Sequence, residues 1–176
     1  MKIFQFFSKS ANIDDLPGCR ADWRRRLSNF AKVDGLVVDG VEYPTVEHAF
    51  QAAKFKFTAR PGDAPRFDSS MTAVDAKRAG SKAGMKSVGL TLDRAGWEEA
   101  CDGVMERALQ ARWEADPEFR QILQAVAATG KTLLHFERAG GYWGGKVEDG
   151  VVVGQNKLGE MLMALLAKEP AKRRRL

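Results

Sequence analysis

Glu47, Gln51, Lys54 and Thr58 are spaced four, three and four residues apart, so on a helix they fall into one narrow polar line. The spacing places a carboxylate, an amide and an amine side by side, groups that can hold a proton and orient a polar ligand. Their setting is VEYPTVEHAFQAAKFKFT, Val41–Thr58. Pro44 disfavours helix in Tyr43, Thr45 offers an N-capping hydroxyl, and the spacing predicts a helix from Val46 to about Phe57. Val46, Phe50, Ala53 and Phe57 flank the line on one side, and Ala52, Phe55 and the His48 ring on the other. Lys56 points roughly opposite, toward solvent. Two readings fit this pattern: the wall of a pocket, or a partly exposed helix with ordinary polar pairs one turn apart.

Two further clusters set polar residues among apolar ones: Ser28-Asn29-Phe30, and Tyr142-Trp143-Gly144 leading to Gln155-Asn156-Lys157-Leu158-Gly159. The familiar alternatives fall away. The sequence has no Walker loop, no dinucleotide-binding glycine fingerprint and no zinc motif, and Ser28 lacks the context of a nucleophile elbow. His48 reads as a packed, hydrogen-bonded ring rather than a general base, and His135, in LLHF, as structural. Trp97 and Trp113 on a helix face read first as core. Cys19 and Cys101 have no metal-ligand spacing, and two histidines make no His-rich metal site. No metal and no cofactor is expected.

The chain has 176 residues, 44% hydrophobic and 29% charged, which suits one globular domain with a sizeable core. No apolar run approaches the roughly 18 residues of a membrane span. The start, MKIFQFFSKS, reads as a first strand rather than a signal peptide, so the expected compartment is the cytoplasm, with reduced thiols. Net charge is +5, a balance that favours phosphate-bearing partners. Part of the excess lies in Lys172–Arg175, and residues 169–176 are expected to be a disordered basic tail.

The elements that must position these groups follow from turn and cap signals. Ile3–Phe7 reads as a strand and Ala11–Arg20 as a loop. Leu36–Val38 and Val41–Tyr43 are joined by Asp39-Gly40, a two-residue hairpin turn. Arg60–Ser70 is a loop or lid, and Thr72 with Asp75 opens a short helix ending near Gly80 or Gly84. Asp93 caps a helix from about Ala95 to Glu114. Pro117 opens another that carries Phe119, Ile122, Leu123 and Val126 and closes at Gly130. Thr132–Phe136 and Val151–Val153 read as strands, AGGYWGG at Ala139–Gly145 as irregular, and Asn156 as the start of a last helix. The expected fold is α+β: a single, compact, helix-rich domain over residues 1–168 around a small β-sheet.

LSNFAKVDGLVVDGVEYPTVEHAFQAAKF closely resembles the signature of the NADAR family of YbiA-like proteins. The later pieces arrive in family order: Trp97 with Met105, Thr129-Gly130 before LLH, Trp143-Gly144, and GQNKLGEMLM at Gly154–Met163. The resemblance spans roughly Leu27 to Leu165 and implies an α+β fold with one cleft. It also implies hydrolysis of an N-glycosidic bond to a ribose phosphate or ADP-ribose. Known family activities include removal of ADP-ribose from guanine bases in nucleic acid and cleavage of a ribosylaminopyrimidine phosphate of riboflavin synthesis. ADP-ribosylated DNA or RNA is therefore a candidate partner, and a membrane is not.

On that resemblance Glu47 is the catalytic carboxylate. The substrate-binding candidates are Ser28, Asn29, Phe30, His48, Gln51, Lys54, Trp97, Trp143, Gly144 and Asn156. Lys54 would anchor a phosphate or tune Glu47, Gln51 and Asn29 would orient hydroxyls, and Trp97 or Trp143 would stack on the base. Backbone N–H groups of Gly141–Gly145 and of the last helix near Asn156 would receive phosphate. One departure stands out. The family pattern D-x-x-W-G places an Asp where this chain has Gly140, with Glu137 and Asp149 the nearest acids in sequence. That departure motivates a second reading, a module that binds ADP-ribose or a nucleotide without cleaving it.

Overall fold

The computed structural model describes residues 3–168; the expected tail, residues 169–176, lies outside them. In chain order the elements are β1 (Ile3–Phe6), α1 (Trp23–Arg26), β2 (Val37–Val38), β3 (Val41–Glu42), α2 (Val46–Lys54), α3 (Ala73–Ala79), α4 (Lys82–Ser87) and α5 (Arg94–Ala115). There follow α6 (Pro117–Ala128), β4 (Thr132–His135), β5 (Lys146–Glu148), β6 (Val151–Val153) and α7 (Lys157–Leu165). The class is α+β. Its strands form three separate pairs: β1 with β4, β2 with β3, and β5 with β6. No helix among the described residues is long and apolar enough to cross a membrane.

The chain groups into two compact units, one of residues 3–28 and 117–168, the other Asn29–Asp116. In the first, β1 and β4 run parallel, Ile3 opposite Thr132 and Phe6 opposite His135. A parallel pair needs a long crossover, and here everything from α1 to α6 lies between the two strands in sequence. The apolar stripe of α6 (Phe119, Ile122, Leu123, Val126) and that of α7 (Leu158, Met161, Leu162, Leu165) are buried as expected.

The second unit packs α2 against both α3 and α5. The hairpin before α2 forms as the Asp-Gly signal predicts. Asp39 and Gly40 both adopt positive φ, 50° and 81°, as a primed two-residue turn demands, and Val38 pairs with Val41. α5 is capped by Asp93, whose side chain accepts from Gly96 N. The helix end near Gly80 and the strand at Val151–Val153 form as expected, and each is joined by an element the sequence did not announce. The segment after Thr72 makes two helices rather than one, because α3 ends at Gly80 and Ser81 caps a fresh start by accepting from Gly84 N at 3.0 Å. Val151–Val153 is one arm of a hairpin whose other arm, Lys146–Glu148, is joined to it through Asp149-Gly150.

Candidate active site

Everything that positions Glu47 lies within the second unit. Thr45 is extended (φ −149°, ψ 161°) and its hydroxyl oxygen accepts from His48 N, so α2 begins where Pro44 and Thr45 predict. The helix runs to Lys54 and tightens into a 3-10 turn over Phe55–Phe57. A helix start leaves N–H groups without intrahelical partners. Here the carbonyl of Asn29 accepts from Glu47 N at 3.0 Å, which ties the Ser28-Asn29-Phe30 segment to the first turn of α2. Asn29 Nδ2 in turn donates to Met105 Sδ at 3.5 Å, joining that segment to α5.

The first two members of the polar line are buried, and Lys54 and Thr58 are half-buried. Glu47 is 7% exposed and Gln51 4%, and Gln51 Nε2 donates to Glu47 Oε1 at 2.8 Å. Desolvation pushes the Glu47 carboxyl above its ordinary range, against the opposing pull of the Gln51 hydrogen bond and the charges of Lys77, Lys54 and His48. Lys54, half-buried, donates to the Gly80 carbonyl at 3.3 Å. Its ammonium lies 5.6 Å from the Phe50 ring centre and 5.7 Å from that of Trp97. Desolvation lowers its pKa, partly offset by Glu47. Asn29 Oδ1 and Gln51 Oε1 are buried with no hydrogen-bond partner. Thr58, last of the line, lies beyond the helix and turns its hydroxyl back onto the Phe55 carbonyl at 2.8 Å.

Trp97 is 8% exposed and meets Phe50 and Phe57 edge-on, with ring centres 5.1 and 5.6 Å apart. It forms the apolar flank beside Lys54. His48 is 1% exposed. Its Nε2 donates to the Met71 carbonyl at 3.0 Å, and its Nδ1 lies 2.9 Å from the Thr45 hydroxyl. Both ring nitrogens are thus engaged, as the packed reading expects. Phe30 and His48 line a cleft of about 650 Å³ together with Tyr43, Asp68, Ser70 and Thr72. Glu47, Gln51 and Lys54 do not line it.

A family model of the NADAR domain matches residues 6–168. The chain belongs to the NADAR family. It is 34% identical over 163 residues to the N-glycosidase YbiA of Escherichia coli (strain K12), covering 93% of this chain and 86% of that protein. The N-glycosidase YbiA of Shigella boydii serotype 4 (strain Sb227) matches with the same identity and coverage. The NMR structure of the E. coli protein YbiA is similar with a TM-score of 0.65 at 28% identity, over 98% of this chain and 89% of that one. NADAR membership supports an N-glycosidase type of hydrolase.

The remaining candidates of this NADAR chain belong to the first unit. Ser28 is buried, its N–H spent on the Arg25 carbonyl at 3.1 Å. Trp143 is half-buried and meets Tyr142 edge-on at 5.1 Å. Several of the backbone N–H groups expected to receive phosphate donate within the protein instead. Gln155, Asn156, Lys157 and Leu158 donate to the carbonyls of Gly141, Gly144, Tyr142 and Trp143, and Gly144 N donates to Glu137 Oε2 at 3.1 Å. The loop itself fills the start of α7. Asn156 is also not a side-chain cap. It sits at φ 52°, and its amide bridges to β4, accepting from His135 N at 3.0 Å and donating to the Leu133 carbonyl at 2.8 Å.

At the position of the NADAR aspartate, Gly140 has φ 67°, and a Cβ there would lie 3.1 Å from the Val153 carbonyl oxygen. Backbone conformation and space both favour glycine. Of the two nearby acids, Asp149 occupies the exposed hairpin turn at φ 48°, whereas Glu137 lies against the loop that carries Trp143. The residues that sequence reasoning missed around Glu47 are Lys77 and Gly80. A Cβ on Gly80 would overlap Gln51 Oε1, a close approach visible in the sequence only as a helix-ending glycine.

Proposed function

We propose that the chain hydrolyses the N-glycosidic bond between a base and a ribose phosphate or ADP-ribose, with removal of ADP-ribose from guanine bases in nucleic acid as the favoured reaction. The observation that carries this reading is the Glu47 carboxyl, buried, held by Gln51 and raised in pKa by desolvation. Breaking the bond between the anomeric carbon and nitrogen builds positive charge on the sugar. A carboxylate beside that carbon stabilises the charge and takes a proton from the attacking water, and a raised pKa makes it a better base near neutral pH. Water supplies the new C–O bond, and the leaving nitrogen departs with the bonding electron pair and gains a proton. Gln51 fixes the orientation of Glu47, and Asn29 and Gln51 turn acceptors toward sugar hydroxyls. The net charge of +5 supports an anionic substrate.

One observation favours the second reading, binding of ADP-ribose or a nucleotide without cleavage: glycine stands at position 140, in a conformation and space that disfavour an aspartate. Incubation with ADP-ribosylated guanine DNA, and separately with a ribosylaminopyrimidine phosphate, tests both readings. Release of free ADP-ribose supports the favoured reaction. Release of a free pyrimidine moves the substrate to the riboflavin-type riboside, and tight binding without product supports the binding module.

A further inference from the structure

Two lysines reach the neighbourhood of Glu47, and their surroundings differ. Lys54 is half-buried, donates to the Gly80 carbonyl and holds its ammonium 5.6 and 5.7 Å from the Phe50 and Trp97 ring centres. Its ammonium is already engaged, and an anion brought to it would have to displace those contacts. Lys77 is exposed, and no ion pair joins it among the described residues. It lies on α3 three residues before Gly80, and residues three apart share a helix face. Gly80 is the residue pressed against Gln51, so that face of α3 is the one meeting the polar line of α2. The Lys77 ammonium stands 5.8 Å from the Phe30 ring centre, and Phe30 is a wall of the 650 Å³ cleft. Both Glu47 and Lys54 feel its charge.

The cleft wall carries the acids Asp34, Glu42 and Asp68 and the cation Lys32, with Asp68 paired to Arg66 at 3.3 Å. The N–H groups at the start of α7 are occupied by loop carbonyls. Among the described residues Lys77 is an exposed cation, in no ion pair, whose charge acts on Glu47, and a flexible ammonium is suited to a phosphate as a point charge.

We propose that Lys77 is the specificity residue that receives the anionic group of the substrate, while Lys54 serves Glu47. This rests on the N-glycosidase reading for the identity of the substrate, though not for its test. The test is binding of ribose 5-phosphate against ribose, measured calorimetrically without turnover, for the wild type, Lys77→Met, Lys77→Arg and Lys54→Met. The wild type should prefer ribose 5-phosphate by tenfold or more. Lys77→Met should bring that ratio close to one, Lys77→Arg should keep most of it, and Lys54→Met should leave it within threefold. An unchanged ratio in Lys77→Met, a collapse in Lys54→Met alone, or no preference in the wild type each overturns the proposal. Failure of the glycosidase reading shows differently: no base is released from any N-riboside, whatever Lys77 does to the binding ratio.

Discussion

Gln51 Nε2 donates to Glu47 Oε1 at 2.8 Å, one helical turn apart on α2, with both side chains buried. The pair gives the carboxyl one fixed partner, whose hydrogen bond pulls the pKa down against the larger upward push of desolvation. Glu47→Gln keeps an oxygen for Gln51 to donate to and removes the group that exchanges a proton. Turnover of the N-riboside should fall by about 10²–10⁴-fold, the range of general acid–base contributions, with circular dichroism unchanged. A Glu47→Gln enzyme within tenfold of wild type would sink the catalytic assignment.

The same burial sets a pH signature. The folded-state pKa of Glu47 is raised, chiefly by desolvation, so the folded state binds this proton more tightly than the unfolded chain. Stability contributed by this group is therefore full below the ordinary glutamate pKa and is lost as pH rises through the raised folded value. Glu47→Gln should gain Tm over wild type at pH 7 and little at pH 4. For a chain this size each kcal/mol is about 2–4 °C. Thermal melts of both proteins across that window check it, and a wild-type advantage at pH 7 contradicts it.

Local signals made α2 legible. Pro44, Thr45 and the spacing of Glu47, Gln51 and Lys54 are all short-range; the cap forms as read, and these three lie on one helix with Thr58 beyond it. The hairpin at Asp39-Gly40 was equally local. Asp149-Gly150 carries the same turn signal, but Lys146–Glu148 lacks an apolar run, so its strand was hidden. What sequence could not show is which polar groups are already satisfied. The N–H groups of Gln155–Leu158 look like an anion site until the carbonyls of Gly141–Gly144 are seen to occupy them. Lys77 is one of many surface lysines until the turn at Gly80 brings its face of α3 onto Gln51.

Gly80→Ala probes that contact directly. Gly80 has φ −80° and ψ 4°, which alanine adopts without strain, so the effect comes from the new methyl meeting Gln51 Oε1. Overpacking of this kind costs about 1–3 kcal/mol, and displacing Gln51 loosens the orientation of Glu47. Activity should drop by up to about 10²-fold, the scale of an ångström-sized misplacement, more than the loss of stability explains. Urea denaturation alongside kinetics separates the two, and wild-type kcat in a destabilised Gly80→Ala would argue against Gln51 as an orienting group.

Asn156 separates a structural role from a ligand role. Asn156→Ala loses the bonds to His135 N and the Leu133 carbonyl, each about 0.5–1.5 kcal/mol. It also places alanine at φ 52°, a further cost of about 1–2 kcal/mol. Asn156→Gly loses the bonds without that strain and should fall between wild type and Asn156→Ala in urea stability. An Asn156→Ala protein as stable as wild type would refute the bridging role.

Trp97 needs a gentler substitution, because it closes an aromatic cluster. Trp97→Ala abandons the edge-on contacts with Phe50 and Phe57 and should cost about 3–5 kcal/mol, so its activity says little. Trp97→Phe keeps a ring against both neighbours and under the Lys54 ammonium while shrinking the surface offered to a base. If Trp97 also contacts the base, Trp97→Phe should raise KM several-fold with kcat close to wild type, the mark of lost binding shared by ground and transition states. Unchanged KM with a lowered Tm would make Trp97 a core residue that supports Lys54 and nothing more.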